Sequence, residues 1–168
     1  MAVALRRPQH GTHATHTDTA SACNPVCVAQ TSPIAGQKPA HRPTWPSIPV
    51  VSGCSAQAVA SGMQSVAFTP ATAVAAVYAA TGQDLGMVGT SSMAHGTARR
   101  IEGGLQASIR FPGLEVGTVG GGTTLPSARD WLTAIGCAGS GKVYRFAQIV
   151  AAAALCLEIS ASAAMATA

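Results

Sequence analysis

The amino-acid sequence predicts an α+β fold in which helices pack on a small sheet, and three patterns support this. Residues 105–111 alternate apolar and polar side chains, as a strand with one buried face does. Apolar residues recur at helical spacing in residues 70–81 and again in residues 142–166. With 168 residues, the chain is long enough for one domain with a hydrophobic core.

The first predicted helix begins at Thr69 and Pro70 and ends at Gly82. Threonine caps helix N-termini, proline suits the first helical turn, and glycine suits the position after the last turn. The face predicted to be buried carries Ala71, Val74, Val77, Tyr78 and Thr81.

The strand at residues 105–111 is predicted to pair with an antiparallel neighbour. Its apolar face carries Leu105, Ala107, Ile109 and Phe111. Pro112 and Gly113 predict a tight turn, and hence a hairpin into a second strand over residues 114–119. His95 lies in a stretch of small polar residues, where we expect an exposed loop or strand histidine rather than a catalytic one.

Two more helices are predicted in the last third of the chain. The first spans residues 126–135 and stops at Gly136, with Ala128, Trp131, Leu132 and Ile135 facing inward. The second spans residues 142–166, and its apolar face carries Val143, Phe146, Ile149, Val150, Ala153 and Leu157. Its most apolar run, residues 149–157, is too short to cross a bilayer, so no membrane segment is predicted.

Residues 1–53 differ in composition from the rest of the chain. They hold seven of the ten prolines, with many threonines and histidines and no lasting periodicity. We therefore predict a low-complexity leader that is disordered or mistranslated, followed by a domain over residues 54–168. The leader's His10, His13, His16, Cys23 and Cys27 could form a metal site, but their spacing matches no zinc module, and we predict none.

Charge and cysteine content narrow the classes of function. The net charge of +4 is not gathered with aromatic residues on one face, so nucleic-acid binding is not expected. The five cysteines are an odd number without regular spacing, which favours reduced thiols in a cytoplasm. No apolar run follows Arg6 and Arg7, so no signal peptide is predicted.

The glycine-rich stretch at residues 114–126 is the strongest candidate for a binding site. An apolar run leads into Gly117, Gly120, Gly121 and Gly122, and Pro126 then suits a helix start. Glycines let the backbone approach a ligand closely, and their N–H groups can bind phosphate. A simple glycine-rich turn between two elements is the alternative. The spacing is not G-x-G-x-x-G, so a Rossmann fingerprint is excluded.

A second glycine segment, residues 136–142, nearly matches a phosphate-binding P-loop. The position after Lys142 is Val143, where Ser or Thr should hold magnesium, and a helix precedes the segment where a strand should. We therefore interpret it as a connector between helices.

Three sequence blocks resemble the hydroxymethylglutaryl-CoA (HMG-CoA) reductase family, bacterial type. Residues 117–123, G-T-V-G-G-G-T, resemble its NADP-contacting motif. Residues 75–84 resemble its helix followed by Gly-Gln-Asp, and residues 135–142 are similar to the segment that comes after the family's glycine loop. The blocks come in the family's order within residues 66–166. The resemblance implies part of the family's large, substrate-binding domain.

The resemblance also implies an activity and its site residues. Family members reduce HMG-CoA to mevalonate with NADPH, in isoprenoid biosynthesis, and are homo-oligomers. Asp84 matches the catalytic aspartate, which organises a lysine and a glutamate around the thioester carbonyl. The residues matching the cofactor motif are Gly117, Thr118, Val119, Gly120, Gly121, Gly122 and Thr123.

Other family features have no counterpart in the sequence. The catalytic lysine, the glutamate and the C-terminal histidine are not matched, and Asn and His residues of the helix block are replaced by Ala67, Thr69 and Thr72. We therefore expect an incomplete fragment that is inactive alone. Two alternatives stay open. One is a non-catalytic remnant that binds a nucleotide or a reductase-like subunit through residues 117–123, and the other is a small structural domain that binds no ligand.

Overall fold

A computed structural model describes residues 2–5, 27–32, 67–101 and 104–166. Its elements, in chain order, are β1 (Ala2–Leu5), β2 (Cys27–Ser32), α1 (Pro70–Thr81), a 3₁₀ turn (Leu85–Met87), α2 (Val88–Ser91), β3 (His95–Ile101), β4 (Gly104–Phe111), a second 3₁₀ turn (Gly121–Thr124), α3 (Pro126–Ala134) and α4 (Val143–Ala166). The predicted α+β class is confirmed.

The four strands form one antiparallel sheet in the order β1-β2-β4-β3. Strand β4 is central: it pairs with β3 through His95 opposite Arg110, and with β2 through Cys27 opposite Phe111. The predicted strand at residues 105–111 is therefore confirmed, and so is its antiparallel pairing. His95 is exposed at the start of β3, as expected.

Two strands come from the proline-rich leader. Strands β1 and β2 pair antiparallel, with Ala2 opposite Ser32. All other residues of the leader lie outside the described part of the chain, and so do its histidines. For them the disordered leader stays a prediction, as does the domain boundary at residue 54.

The hydrophobic core lies between the sheet and the helices. Strand β4 contributes Ala107, Ile109 and Phe111, which are buried as the alternation predicts. Opposite them are residues of α1, α3 and α4 that are almost inaccessible to solvent: Val74, Tyr78, Leu132, Phe146, Val150, Ala151 and Ala154. Small alanines on α4 allow the long helix to approach both the sheet and α1.

Helix α1 ends as predicted, but its N-terminus is capped differently. Gly82 adopts φ 67° and ψ 29°, the left-handed conformation that glycine tolerates after a helix. Thr69 makes no side-chain cap, so that prediction was wrong. Glu158 of α4 instead holds the N-cap residue and the one before it: its carboxylate accepts from the N–H groups of Phe68 and Thr69 at 2.9 Å each, and from the Thr69 hydroxyl at 2.6 Å.

Three other predictions about faces and strands were wrong. Residues 114–117 are not a strand, so Pro112 and Gly113 do not form a hairpin turn. Trp131, predicted to face inward from α3, is 58% exposed. Ala71 is exposed, and Ala73 takes its place on the buried face of α1. The remaining predicted core positions of α1, α3 and α4 are buried or half-buried.

Helix α4 is long and apolar enough, over Val143–Ala164, to cross a membrane by length and composition. The same stretch packs against β2, β4 and α1, and it carries the buried Glu158. A core helix of a folded domain has the same properties, so this is weak evidence for a membrane segment.

Candidate functional site

The segment that leads into the glycine loop is held by side chains from other elements. The Tyr78 hydroxyl of α1 donates to the Glu115 carbonyl, and the Glu115 N–H donates to the Ser91 hydroxyl at 3.1 Å. Leu114 and Val116, on either side of Glu115, are buried in the core. These contacts explain how a segment that pairs with none of the described strands keeps a fixed position.

Gln83 holds the first residue of the loop. Its Oε1 accepts from the Gly117 N–H at 2.8 Å, and its Nε2 donates to the Gly117 carbonyl at 3.0 Å and to the Thr81 carbonyl at 3.2 Å. The side-chain amide therefore bonds both backbone groups of one residue that lies 34 positions away in the sequence.

The glycine loop, residues 117–123, is compact and presents its middle to solvent. Gly120 and Gly121 have φ values of 77° and 54°, which L side chains rarely adopt. A Cβ added at either position would meet no atom of the described residues within 4 Å, so the space beside both glycines is open to that extent. Val119 is 42% exposed. Residues 119–121 therefore form an exposed backbone arc.

The two threonines of the loop are buried and bonded to the chain itself. The Thr118 hydroxyl donates to the Gly139 carbonyl at 2.8 Å, and the Thr123 hydroxyl donates to the Gly120 carbonyl at 2.6 Å. Thr118 is 5% exposed and Thr123 is 8% exposed. Both hydroxyls shape the loop, whereas the arc at residues 119–121 is exposed to solvent.

Asp84 lies on the turn beside this loop. Its carboxylate accepts from the Gly86 N–H at 2.8 Å and so caps the 3₁₀ turn Leu85–Met87, while the residue itself is exposed. One residue before Gln83, Gly82 meets Gly122 so closely that a Cβ on Gly82 would lie 2.2 Å from the Gly122 carbonyl oxygen. The fold thus brings the Asp84 turn and the glycine loop together through two contacts.

The third sequence block joins the same assembly. The Gly139 N–H donates to the Thr118 carbonyl at 3.2 Å, which completes a reciprocal pair with the Thr118 hydroxyl. Lys142 is exposed, and its carbonyl accepts from the Phe146 N–H in the first turn of α4. Residues 136–142 connect α3 to α4, as predicted.

Burial shifts two ionisable groups near the site. The pKa of Tyr78 is raised above its ordinary value by burial, against a lowering by the Ser91 hydrogen bond and with a further increase from the Glu115 charge. The pKa of the Cys137 thiol is also raised by burial, against the lowering effect of Arg145. Both groups therefore stay neutral at neutral pH, and Cys137 is a buried free thiol.

Sequence reasoning missed three contributors to this arrangement. In the sequence, Gln83 stands out only as the middle of a motif, and Tyr78 only as a core residue. Glu158 was missed altogether, although a lone carboxylate in the apolar α4 is a usable signal for a buried polar contact.

Within the described ranges no group of three His, Cys, Asp or Glu residues could hold a metal ion. The leader's histidines lie outside those ranges.

Comparison with known proteins identifies the family. The family model for hydroxymethylglutaryl-coenzyme A reductase matches residues 50–168, which is more than half of the chain. The chain belongs to the HMG-CoA reductase family. The match begins close to residue 54, where the predicted domain begins, and it contains Asp84 and the whole glycine loop.

Individual reductases match a shorter stretch. The 3-hydroxy-3-methylglutaryl-coenzyme A reductase of Halobacterium salinarum is 43% identical over 102 residues, which cover 58% of this chain and 25% of that protein. The enzyme of the same name from Pyrococcus abyssi is 45% identical over 101 residues, covering 55% and 24%. That of Aspergillus terreus is 40% identical over 99 residues, covering 55% and 9%.

The HMG-CoA reductase match is therefore partial in length. The alignments span about a quarter of the length of the archaeal reductases. The relatives named above are archaeal and fungal, so the bacterial type stays a prediction. The recognition of the family from residues 75–84, 117–123 and 135–142 is confirmed.

Proposed function

We propose that this chain carries the nucleotide-binding loop and the catalytic aspartate of an HMG-CoA reductase. The reaction is the NADPH-dependent reduction of HMG-CoA to mevalonate, for isoprenoid biosynthesis. The observation that carries the proposal is the family match over residues 50–168, which contains both Asp84 and the exposed glycine arc. The two residues before Asp84 contact the ends of the loop, Gln83 at Gly117 and Gly82 at Gly122.

The exposed arc fits a nucleotide. At Gly120 and Gly121 the positive φ and the open space beside the backbone leave room for a ligand to reach main-chain N–H groups. We assign residues 119–121 to direct contact. The other glycines and threonines of the loop set its shape, because they bond or closely contact other residues of the chain. They are Gly117, Thr118, Gly122 and Thr123. When bound, NADPH supplies the hydride.

Asp84 has the exposure that its proposed catalytic role needs. The Gly86 N–H fixes one carboxylate oxygen, and the residue stands at the surface of the described part of the chain. A carboxylate in this position can pair with a lysine ammonium brought by another part of a reductase and keep that lysine charged. The charged lysine would stabilise the oxyanion that develops on the thioester.

The partners and location follow from the same proposal. HMG-CoA is the substrate, the reductase is a homo-oligomer, and its site is completed by residues not assigned in this chain. We propose a cytoplasmic location, with no nucleic-acid or membrane partner. The packing of α4 inside the domain supports this interpretation of its apolar sequence. The alternative of a remnant with only nucleotide or subunit binding is not favoured, since the matching relatives carry the enzyme's name.

The test is an NADPH titration of the purified chain, followed by ligand fluorescence, with NADH for comparison. Gly121→Val places a branched side chain in the open space at φ 54° and should weaken NADPH binding at least about tenfold. Gly141→Val is the matched control, because Gly141 has φ 74° with no atom near its Cβ position but lies outside the loop. Failure of the wild-type chain to bind NADPH, or equal binding by both variants, would overturn the proposal.

The same chain should not oxidise NADPH when HMG-CoA is added. The family's lysine, glutamate and histidine are not assigned in it, and losing catalytic groups costs orders of magnitude in rate. Absorbance at the NADPH band measures this directly. Substrate-dependent oxidation by the purified chain would show that the expected inactivity is wrong.

A further inference from the structure

The carboxamide of Gln83 bonds the backbone of Gly117 in the way that a neighbouring strand would. In an antiparallel sheet, two facing residues exchange N–H and carbonyl bonds. Gln83 offers Gly117 an acceptor at 2.8 Å and a donor at 3.0 Å, which is the same pairing made by one side chain. This replaces the partner that residues 114–117 lack, since they are not part of the described sheet.

The position of Gln83 makes this pairing relevant to the site. It follows the left-handed Gly82 and precedes Asp84, so its side chain connects the end of α1 to the start of the glycine loop. Its third hydrogen bond, to the Thr81 carbonyl at 3.2 Å, fixes the orientation of the amide group. Movement of Gly117 away from the end of α1 would therefore stretch the two bonds that Gln83 makes to it.

The arc beyond Gly117 is held on its far side by the Thr123 and Thr124 hydroxyls, which donate to the carbonyls of Gly120 and Gly121, while Gln83 holds its near side at Gly117. Gly120 and Gly121 carry no side chain, and the residues of the arc are exposed. Glycine-rich backbone loses more conformational freedom on ordering than other sequences, and a ligand must bear that cost when it binds a loose loop. A fixed Gly117 reduces this cost.

We infer that Gln83 is a positioning residue, which holds Gly117 so that the arc at residues 119–121 keeps a fixed place beside Asp84. The expected effect on nucleotide affinity rests on the proposed function. The hydrogen bonds that hold Gly117 are present in the free chain and can be tested without a ligand. The three side-chain hydrogen bonds that Gln83 makes within the described residues all go to backbone groups, so it acts through the loop.

The substitution that tests this is Gln83→Met, which keeps the length of the side chain and removes its donor and acceptor. The matched control is Gln148→Met, the same exchange at a half-buried residue of α4. Hydrogen exchange of backbone amides is measured in the free chain, the melting temperature reports global stability, and NADPH titration gives the Kd. We expect exchange at Gly117 and residues 119–121 to accelerate, and the Kd to rise about tenfold, which is about 1.4 kcal/mol.

A second variant separates the two halves of the pairing. Gln83→Glu keeps an acceptor for the Gly117 N–H but turns a carboxylate oxygen towards the carbonyls of Gly117 and Thr81, which repel it. It should raise the Kd as well, and it replaces Gln83→Met as the decisive variant if the latter does not fold.

Each result decides the inference. Faster exchange confined to the loop, with a higher Kd and a melting temperature like that of Gln148→Met, supports a positioning role. Unchanged exchange at Gly117, or faster exchange with an unchanged Kd, overturns it. A wild-type chain that does not bind NADPH overturns the proposed function instead, and the exchange data then decide separately whether Gln83 holds the loop.

Discussion

The contact between Gly82 and Gly122 can be tested by adding a single methyl group. In Gly82→Ala the new Cβ would lie 2.2 Å from the Gly122 carbonyl oxygen, 2.5 Å from its carbon and 3.0 Å from the Ala128 Cβ. Real Cβ atoms do not approach other atoms this closely, and two of the three neighbours are rigid backbone. The loop must therefore move away from α1.

The expected loss of stability has two parts. Placing alanine at φ 67° costs roughly 1–2 kcal/mol, because the left-handed conformation strains any residue with a Cβ. Forcing the two segments apart adds about 1–3 kcal/mol, the usual cost of overpacking. The sum of about 2–5 kcal/mol is a large part of the roughly 5–15 kcal/mol that stabilises a typical domain.

Two control variants separate these parts. Gly141→Ala places alanine at a similar φ of 74°, with no atom of the described residues within 4 Å of its Cβ. It should therefore lose only the stability that backbone strain costs, about 1–2 kcal/mol. Gly122→Ala brings a Cβ to 2.4 Å from the Gly82 carbonyl oxygen without a positive φ, so it should lose only the packing part.

The assay is urea denaturation of the three variants and the wild type, followed by far-UV circular dichroism. We expect Gly82→Ala to lose the most free energy of unfolding. If Gly82→Ala is no less stable than Gly141→Ala, the two glycines do not meet as described, and the assembly of the Asp84 turn with the glycine loop is wrong.

Two further predictions concern buried polar groups. Tyr78→Phe should cost about 1–3 kcal/mol, because the Glu115 carbonyl loses its donor. The pKa of Tyr78 is raised in the folded chain, so its contribution is fully present below its ordinary pKa of 10.0 and is lost as the pH rises through the folded pKa. The difference in unfolding free energy between wild type and Tyr78→Phe should therefore shrink above pH 10. A constant difference up to pH 11 would contradict this. The pKa of Cys137 is also raised, but its titration affects both proteins alike. Glu158→Gln should cost roughly 2–3 kcal/mol, since its new NH₂ group would face the donors of Thr69. Urea denaturation measures this loss of unfolding free energy, with Glu115→Gln as the control. Glu115 is exposed, so its substitution should cost less than about 0.5 kcal/mol. Equal losses in the two variants would contradict the role of Glu158 at the start of α1.

Much of the fold could be predicted from local patterns. The alternation at residues 105–111 gave a strand, and the proline and glycine boundaries gave α1 and α3 within a residue of their observed ends. These features depend on periodicity and on backbone preferences of single residues, which act over a few positions.

Predictions that depended on distant partners failed. Residues 114–119 have an apolar, strand-like beginning, yet the acceptors and donors that hold residues 115 and 117 come from the side chains of Tyr78, Ser91 and Gln83. Trp131 satisfies helical spacing but stands at the edge of the buried face of α3, where it is exposed. Periodicity indicates a direction around a helix, and it cannot show how far the neighbouring elements cover that direction.

The sequence by itself determined the family and the two candidate segments. The Gly-Gln-Asp block and the glycine motif are short runs of specific residues, so they could be recognised without knowing their place in space. The family match over residues 50–168 confirms that recognition.

Only the tertiary structure decided which residues of the motif are exposed and which are packed against the rest of the chain. In the sequence, the four glycines and two threonines of residues 117–123 are all small residues suited to a phosphate loop, and nothing separates their roles. In the fold, four of these residues meet backbone or side chains of the chain itself: Gly117, Thr118, Gly122 and Thr123. Gly120 and Gly121 face space that no described residue fills. The difference arises because a hydrogen bond between residues 34 positions apart depends on how α1 and the loop pack, which no local pattern contains.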